Sequence, residues 1–317
     1  MTSATPTVSI CIPAYNEEGG IGRLLQEILD QEHRHHRLDE VLIASDGSTD
    51  GTVAEARRIP DARIRVIHDG ERRGKSIRIN QLLASATGDV VILLDADVVL
   101  REPSFLDVLV RDFDAQERGL AAPAAEPLAP TCWVDRSLAV GSAIVADVGA
   151  AWRAEESVYL QFRGCCLLLG REFARRVQLP AGVVNDDAYI YLMARQLGYR
   201  PQALRQTAVW YLLPTTVRDH RGQAARHRLG TAELARWFPQ HVVRREYAIP
   251  RRLLLRAIAQ QAARRPVRLL GYLLLAGVAS TGGRLSRHAH WPPASSTKPS
   301  IEAGDRVVPV TAGGTGR

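Results

Sequence analysis

Residues 89–97 read DVVILLDAD, a wholly apolar run from Val90 to Leu94 with one aspartate before it and two close behind. Five apolar residues rich in β-branched side chains, bounded by polar ones, mark a strand buried on both faces. Three runs of the same kind precede it, at 7–14 (TVSICIPA), 39–45 (DEVLIAS) and 63–68 (RIRVIH). Helix-patterned segments separate them. Ile21, Leu24, Leu25, Ile28 and Leu29 follow the i, i+3, i+4, i+7, i+8 spacing of one apolar helix face. A second helix is expected after DGSTDG at 46–51, where Ser48, Thr49 or Asp50 can cap it, and a third over 75–86. Strands alternating with helices imply βαβ units. The expected class is therefore α/β, a mostly parallel sheet flanked by helices that binds ligands at the carboxyl ends of its strands.

Chemistry should then lie just after Ala14, Ser45, His68 and Leu94, and each of these positions carries polar residues of a related kind. PAYNEE (13–18) puts Tyr15, Asn16 and Glu17 after the first strand, and Asp46 follows the second. ERRGKS (71–76) supplies Arg72, Arg73, Gly74 and Lys75 after the third; the fourth ends in Asp95-Ala96-Asp97. An aromatic ring, carboxylates and a Gly-Lys pair on one sheet edge suit a nucleotide, with Tyr15 stacking on the base and Glu17 and Asp46 accepting hydrogen bonds from base or ribose. Taken singly these motifs also serve as turn and capping chemistry. Their convergence favours the nucleotide. Asp95 and Asp97 are the sharpest of them, because strand residues at i and i+2 point to one face. A divalent cation shared with phosphate would offset the repulsion between two such carboxylates.

The chain has 317 residues, 46% hydrophobic and 24% charged, which excludes disordered and small disulfide-stapled classes. Its net charge of +7 comes from 41 basic and 34 acidic residues, the only lysines being Lys75 and Lys298. Residues 1–215 carry 23 basic and 29 acidic groups, whereas 216–290 carry 15 arginines against Asp219, Glu233 and Glu246. The basic excess is local, so no nucleic-acid partner is expected. Cys11, Cys132, Cys165 and Cys166 have no metal-ligand spacing and read as reduced thiols of a cytosolic protein. The N-terminus lacks a basic segment followed by an apolar one, so no signal peptide is expected. The longest charge-free stretch near the C-terminus, 269–283, is 15 residues, short of the roughly 20 a spanning helix needs.

PAYNEE, SDGSTDGT, RRGKSIRIN and the DAD after VVILL together resemble the nucleotide-sugar domain of family 2 glycosyltransferases, over 7–110 strongly and more sparsely to about 230. The resemblance implies a GT-A (Rossmann-like) fold and a nucleotide-sugar donor, UDP- or GDP-linked. It implies that Pro13, Tyr15, Glu17 and Asp46 hold the nucleoside and that Lys75 lies near it. Asp97, with Asp95 at the ribose or behind it, would serve a Mg²⁺ or Mn²⁺ ion on the diphosphate. It further implies a catalytic base in an acidic pair ahead of an amphipathic helix. GVVNDDAYIYLMARQLGYRP (182–201) supplies Asp186 and Asp187, with Asp187 as the base by likeness. Like charges so close should raise one pKa; the alternative is a helix cap formed by Asn185, Asp186 and Asp187.

DHRGQAARHRLG (219–230) is similar to the Q-x-x-R-W element of cellulose, chitin and hyaluronan synthases, with Gln223 and Arg226 matching and His227 in place of tryptophan. By that likeness Gln223 and Arg226 help hold the diphosphate, for which a planar guanidinium is suited. The missing tryptophan argues against a polymerising role. His220 is a weaker candidate metal ligand, and His33, His35 and His36 read as a solvated helix end without a role.

Three regions are expected: a nucleotide-sugar and acceptor domain over 1–215, an Arg-rich amphipathic helical extension over 216–287, and a disordered tail over 288–317. In the second, Trp237, Phe238, Tyr247, Leu253–Leu255 and Leu269–Leu275 interleave with arginines. Aliphatic residues on one side and arginine on the other would suit an anionic membrane surface, although packing on the catalytic domain is the plainer alternative. The expected activity is inverting sugar transfer to a saccharide or lipid-linked acceptor at the inner face of the cell membrane. The rivals are a nucleotidyltransferase, for which PAYNEEGG lacks a phosphate-binding glycine loop, and a non-catalytic membrane-bound scaffold.

Overall fold

In the computed structural model, described for residues 5–153 and 158–280 and Thr297, the first hundred residues alternate as expected. They form β1 (Thr7–Ala14), α1 (Glu18–Leu29), β2 (Arg37–Ser45), α2 (Thr52–Arg58), β3 (Ile64–Ile67), α3 (Lys75–Ser85) and β4 (Val90–Leu94). Two strands and two helices follow: β5 (Val98–Val99), α4 (Phe105–Asp112), α5 (Ala115–Arg118) and β6 (Leu120–Pro127). Next come α6 (Trp133–Arg153), β7 (Cys166–Gly170), α7 (Arg171–Ala174), α8 (Asp186–Gln196) and β8 (Gln202–Tyr211). Four helices close the described chain: α9 (Val217–Leu234), α10 (Gln240–Tyr247), α11 (Arg251–Arg264) and α12 (Pro266–Ser280). The expected tail over 288–317 lies outside the described residues apart from Thr297.

The eight strands form one sheet in the order β3-β2-β1-β4-β7-β6-β8-β5. β1, β2, β3 and β4 pair in parallel, β7 is antiparallel to β4 and β6, and β6 and β8 are parallel again. The carboxyl ends of β1, β2, β4, β6 and β8 and the start of β7 therefore share one edge. Alternate residues of the buried strands feed different layers. Val8, Ile10 and Ile12 pack with α1 and α4, while Cys11, Leu42, Val91 and Leu93 pack with α3 and α8. Leu234, Phe238 and Val243 join the second layer, so α9 and the segment after it pack on the sheet domain. A third cluster lies between α6, α11 and α12, built on Val140, Ile144, Ala257 and Leu269.

Four expectations need correction. The fourth strand stops at Leu94, and Asp95 to Asp97 form a turn, so strand alternation does not set the direction of the two carboxylates. Neither Ser48 nor Thr49 caps α2; Asp50 accepts the Thr52 N–H at 3.0 Å instead. The histidine cluster is solvated at His33 and His35 but not at His36. His36 is 2% exposed, its Nε2 lies 2.8 Å from His33 Nδ1, and Asp107 accepts from His35 and from the Arg34 and His35 backbone. In the Arg-rich extension, α11 carries Leu254 and Leu255 on the same exposed surface as Arg251, Arg252 and Arg256, and α12 is apolar on both its buried and exposed sides. All four cysteines are free thiols, as expected.

Candidate active site

The turns after β1 and β2 are built as one unit. Asn16, the only non-glycine residue at positive φ (53°) among the described residues, donates its N–H to Ser48 Oγ at 3.1 Å and accepts from the Thr49 N–H at 2.9 Å. Asparagine tolerates that left-handed backbone because its short amide bonds locally. The Glu17 N–H donates to Thr52 Oγ1 at 2.7 Å, and the Glu18 N–H to Asp50 at 3.2 Å. Pro13 and Ala14 pair in register with Ala44 and Ser45, so Tyr15, Glu17 and Asp46 are brought to one place. The Arg72 guanidinium lies over the Tyr15 ring, 3.9 Å from its centroid. Asp46 is 4% exposed, and its Oδ1 accepts from the Arg73 and Gly74 N–H groups at 2.7 and 2.8 Å. Asp46 therefore shapes the loop that delivers Lys75 as well as presenting a carboxylate.

Lys75 begins α3 and joins two motifs 91 positions apart. Its Nζ lies 2.8 Å from Asp95 and 3.0 Å from Asp186. Burial alone would lower its pKa, but Asp186 and Asp95 outweigh burial and hold the ammonium above its usual range. Lys75 thus sits at the carboxylates, not only near a nucleoside. Asp187 lies beside this pair in a cleft lined also by Pro13 and Gly164. Burial, and then Asp186, raise the Asp187 pKa to about 7; burial likewise raises Asp95 to about 6 against the pull of Lys75. Neither aspartate acts as the cap of α8: its N-cap is Asn185, without a side-chain cap bond, and Asp187 accepts only from the next residue, Ala188.

α9 brings the second cation. Gly230 presses on the start of α8, where an added Cβ would lie 2.5 Å from the Asn185 Cβ. Arg226, four residues earlier, shares that helix face. Burial lowers the Arg226 pKa while Asp97, Asp186, Asp219 and Asp95 oppose it, so its guanidinium lies within electrostatic reach of those carboxylates. Gln223 is half-buried one turn before it. His220 does not join the site: its ring contacts the Leu275 backbone on α12, and its Nε2 is buried without a hydrogen-bond partner.

Among the described residues no three His, Cys, Asp or Glu side chains assemble as a metal-ligand set. Asp95 is engaged by Lys75, and Asp97 follows it in the same turn after β4. One carboxylate completed by phosphate oxygens and water suits Mg²⁺ or Mn²⁺, which take few protein ligands.

Two buried or half-buried arginines were not legible in the sequence. Arg78, fully buried, pairs with Asp46 at 3.3 Å and Asp69 at 2.6 Å. The signal was its place between Ile77 and Ile79, on a helix whose apolar face contacts β1 and β2. Arg163, just before β7, donates to the Tyr211 hydroxyl at 2.5 Å, and nothing in FRGCC announces that partner.

Residues 9–126 match the family model described as glycosyl transferase family 2. TuaG of Bacillus subtilis, named for teichuronic acid biosynthesis as a glycosyltransferase, is 36% identical over 99 residues, 31% of this chain and 38% of that one. The 4,4'-diaponeurosporenoate glycosyltransferase of Staphylococcus aureus is 32% identical over 117 residues, 36% of this chain and 30% of that one. The chain thus spans about a third of the length of these relatives. Among solved structures, the mannosyltransferase PcManGT from Pyrobaculum calidifontis, in complex with GDP-Man and Mn²⁺, superposes with a TM-score of 0.61 at 22% identity, over 88% of this chain and 81% of that one. Glucosyl-3-phosphoglycerate synthase from Mycobacterium tuberculosis, with Mg²⁺ and UDP, gives 0.54 at 21% identity over 78% and 81%. These likenesses extend well past residue 126, and the chain has the GT-A glycosyltransferase fold.

Proposed function

We propose that the protein is an inverting glycosyltransferase that moves a sugar from a UDP- or GDP-linked donor to an acceptor hydroxyl. The observation that carries this reading is the meeting, at one sheet edge, of Asp95 and Asp186 on Lys75, with Asp187 in the same cleft and Arg226 within electrostatic reach of Asp95, Asp97 and Asp186. The nucleoside lies against Pro13, Tyr15, Glu17 and Asp46. Gln223 and Arg226 face the diphosphate, with Asp97 as the ligand of Mg²⁺ or Mn²⁺. That ion, when bound, supplies positive charge to the diphosphate oxygens. Asp187 takes the proton from the acceptor hydroxyl as its oxygen forms the bond to the anomeric carbon. The bond from that carbon to the diphosphate oxygen breaks on the opposite face, and Arg226 offsets the charge left on the departing group. Lys75 keeps Asp186 paired, so the unpaired burial that favours a proton falls on Asp187. GDP-mannose with Mn²⁺ in one fold neighbour, and UDP with Mg²⁺ in another, support this assignment.

The acceptor is a saccharide or a lipid-linked molecule, and the enzyme works at the inner face of the cell membrane. Support comes from α11 and α12. Leu255, Val267, Leu270 and Leu274 are 65, 78, 59 and 59% exposed, while 247–280 contains six arginines and no acidic residue. Among the described residues no helix is long and apolar enough to cross a membrane, so contact would be interfacial. Half-burying four such side chains contributes about 1 kcal/mol each, and each arginine adds on the order of 1 kcal/mol at an anionic surface.

Thermal unfolding with Mn²⁺ and a panel of nucleotides tests the donor site. UDP or GDP, and one of its sugars, should raise the Tm, because ligand that binds only the folded state stabilises by mass action. If no nucleoside diphosphate does so at millimolar concentration, the donor assignment fails.

A further inference from the structure

Arg163 stands at the catalytic edge but on the far side of Asp95 from the nucleoside strands. β7 begins at Cys166, which pairs with Leu94, and the Asp95 N–H donates to the Cys165 carbonyl. Tyr15 and Asp46 follow β1 and β2, on one side of β4; β7, β6 and β8 lie on the other. With the nucleoside on the first side, the second is the side left for an acceptor. Gly164, next to Arg163, lies against Asp187, where an added Cβ would sit at an ordinary contact distance of 3.5 Å from its Oδ2.

The guanidinium of Arg163 is half-buried and makes no ion pair among the described residues. Its Nη1 donates to the Tyr211 hydroxyl at 2.5 Å, and that hydroxyl lies 3.2 Å from Ser142 Oγ. Tyr211 ends β8 and Ser142 belongs to α6, so the hydroxyl that receives Arg163 is itself tied to a second element. Arg226 and Arg163 both depress the His227 imidazole, after burial, so positive charge accumulates here. A guanidinium held by one neutral hydroxyl keeps its remaining donors for an anion. The place also borders the exposed apolar helix: Gly141, beside Ser142, packs so closely on Tyr272 of α12 that a Cβ would meet its ring.

Resting on the transfer chemistry above, we propose that Arg163, positioned by Tyr211 and Ser142, binds a phosphate group carried by the acceptor. The phosphate belongs either to a lipid seated on α12 or to a soluble phosphomonoester.

The test uses the full chain with Mg²⁺ and saturating UDP or GDP, titrated calorimetrically with inorganic phosphate. Saturable binding is expected, weakened at least about tenfold by Arg163→Gln, with nucleoside diphosphate affinity changed less than about twofold. Arg163→Lys should keep most of the binding, and Tyr211→Phe, which preserves the ring, should fall between. Equal phosphate affinity in wild type and Arg163→Gln overturns the proposal; so does a parallel loss of nucleoside diphosphate affinity, which would give Arg163 to the donor. A wild-type protein that binds no nucleoside diphosphate defeats the transferase assignment instead. Phosphatidylcholine vesicles with and without phosphatidic acid separate the sources. A phosphatidic-acid increment lost in Arg163→Gln assigns a lipid phosphate, and an unchanged increment beside lost inorganic phosphate binding assigns a soluble one.

Discussion

Asp187 and Lys75 carry the sharpest consequences at the scale of single residues. A base with its pKa near 7 must be ionised to act, so kcat/KM should rise with pH through about 7 and level off above 8. The same shift acts on stability with the opposite sense. Asp187 holds its proton in the folded state up to about 7 but loses it near 3.8 when unfolded, so folding stability should fall between those pH values and flatten above them. Asp187→Asn removes that loss and should raise the Tm at pH 8 relative to wild type, measured by calorimetry without metal. Lys75→Met leaves Asp95 and Asp186 without their shared partner, which should cost roughly 3 kcal/mol in denaturant unfolding. It also removes the charge that holds the Asp187 pKa down, so the pH–rate midpoint of any folded variant should move upward. The aspartates after β4 were legible because they follow a wholly apolar run, and the acidic pair because the resemblance calls for one ahead of an amphipathic helix. Their pairing through Lys75 was not, because sequence spacing names the residue types at a strand end and not which of them meet.

Helices and strands differ in how much of their partner they carry in their own pattern. β1 to β4 and the helices between them declare themselves by period. β6 (LAAPAAEP) does not: alanine has no strong strand signature, and Pro123 falls where the register with β8 shifts, between Ala122 and Ala124. α6 is equally mute, because its small residues answer to α12. Gly141 meets Tyr272, and Gly271 meets Ser137, across 130 or so positions of sequence. His36 was misread for the same reason, since Asp107 closes over its loop from α4. Close approach also makes α9 sensitive at one position. Gly230→Ala puts a methyl 2.5 Å from the Asn185 Cβ, so α9 must shift and take Arg226 with it; nucleoside diphosphate affinity should fall about tenfold by calorimetry, the loss of one charged contact. On α12, Leu270→Glu with Leu274→Glu should abolish co-sedimentation with anionic vesicles at low salt while leaving thermal stability unchanged, because both side chains already face outward. Vesicle binding that survives this double change would place the membrane surface elsewhere.

Across the whole molecule, charge is divided by task. The strand ends gather carboxylates, which in the proposed reaction would tolerate a diphosphate only with help from Lys75, Arg226 and a divalent ion, while 216–290 holds the arginines that give the chain its +7. Had that charge belonged to one polyanion site, it would have covered the sheet edge; instead it lies mostly on helices whose exposed face is half aliphatic. The helices are not a separate appendage, since Gly230, Leu234, Phe238 and Val243 dock α9 and its successor against α8 and the sheet. On the proposed reading, donor site, base and outer face lie along one continuous path. The most direct measurement is nucleoside diphosphate release from a stabilising nucleotide sugar, by wild type and by Asp187→Asn, with Mn²⁺ and a membrane-lipid extract as acceptor. Wild type should release diphosphate faster when the extract is present, and Asp187→Asn should lose about 10²- to 10⁴-fold in turnover while binding the diphosphate within about twofold of wild type. A variant that keeps more than about a tenth of the wild-type rate would contradict Asp187 as the base, and a wild type that releases no diphosphate from any nucleotide sugar would contradict sugar transfer itself.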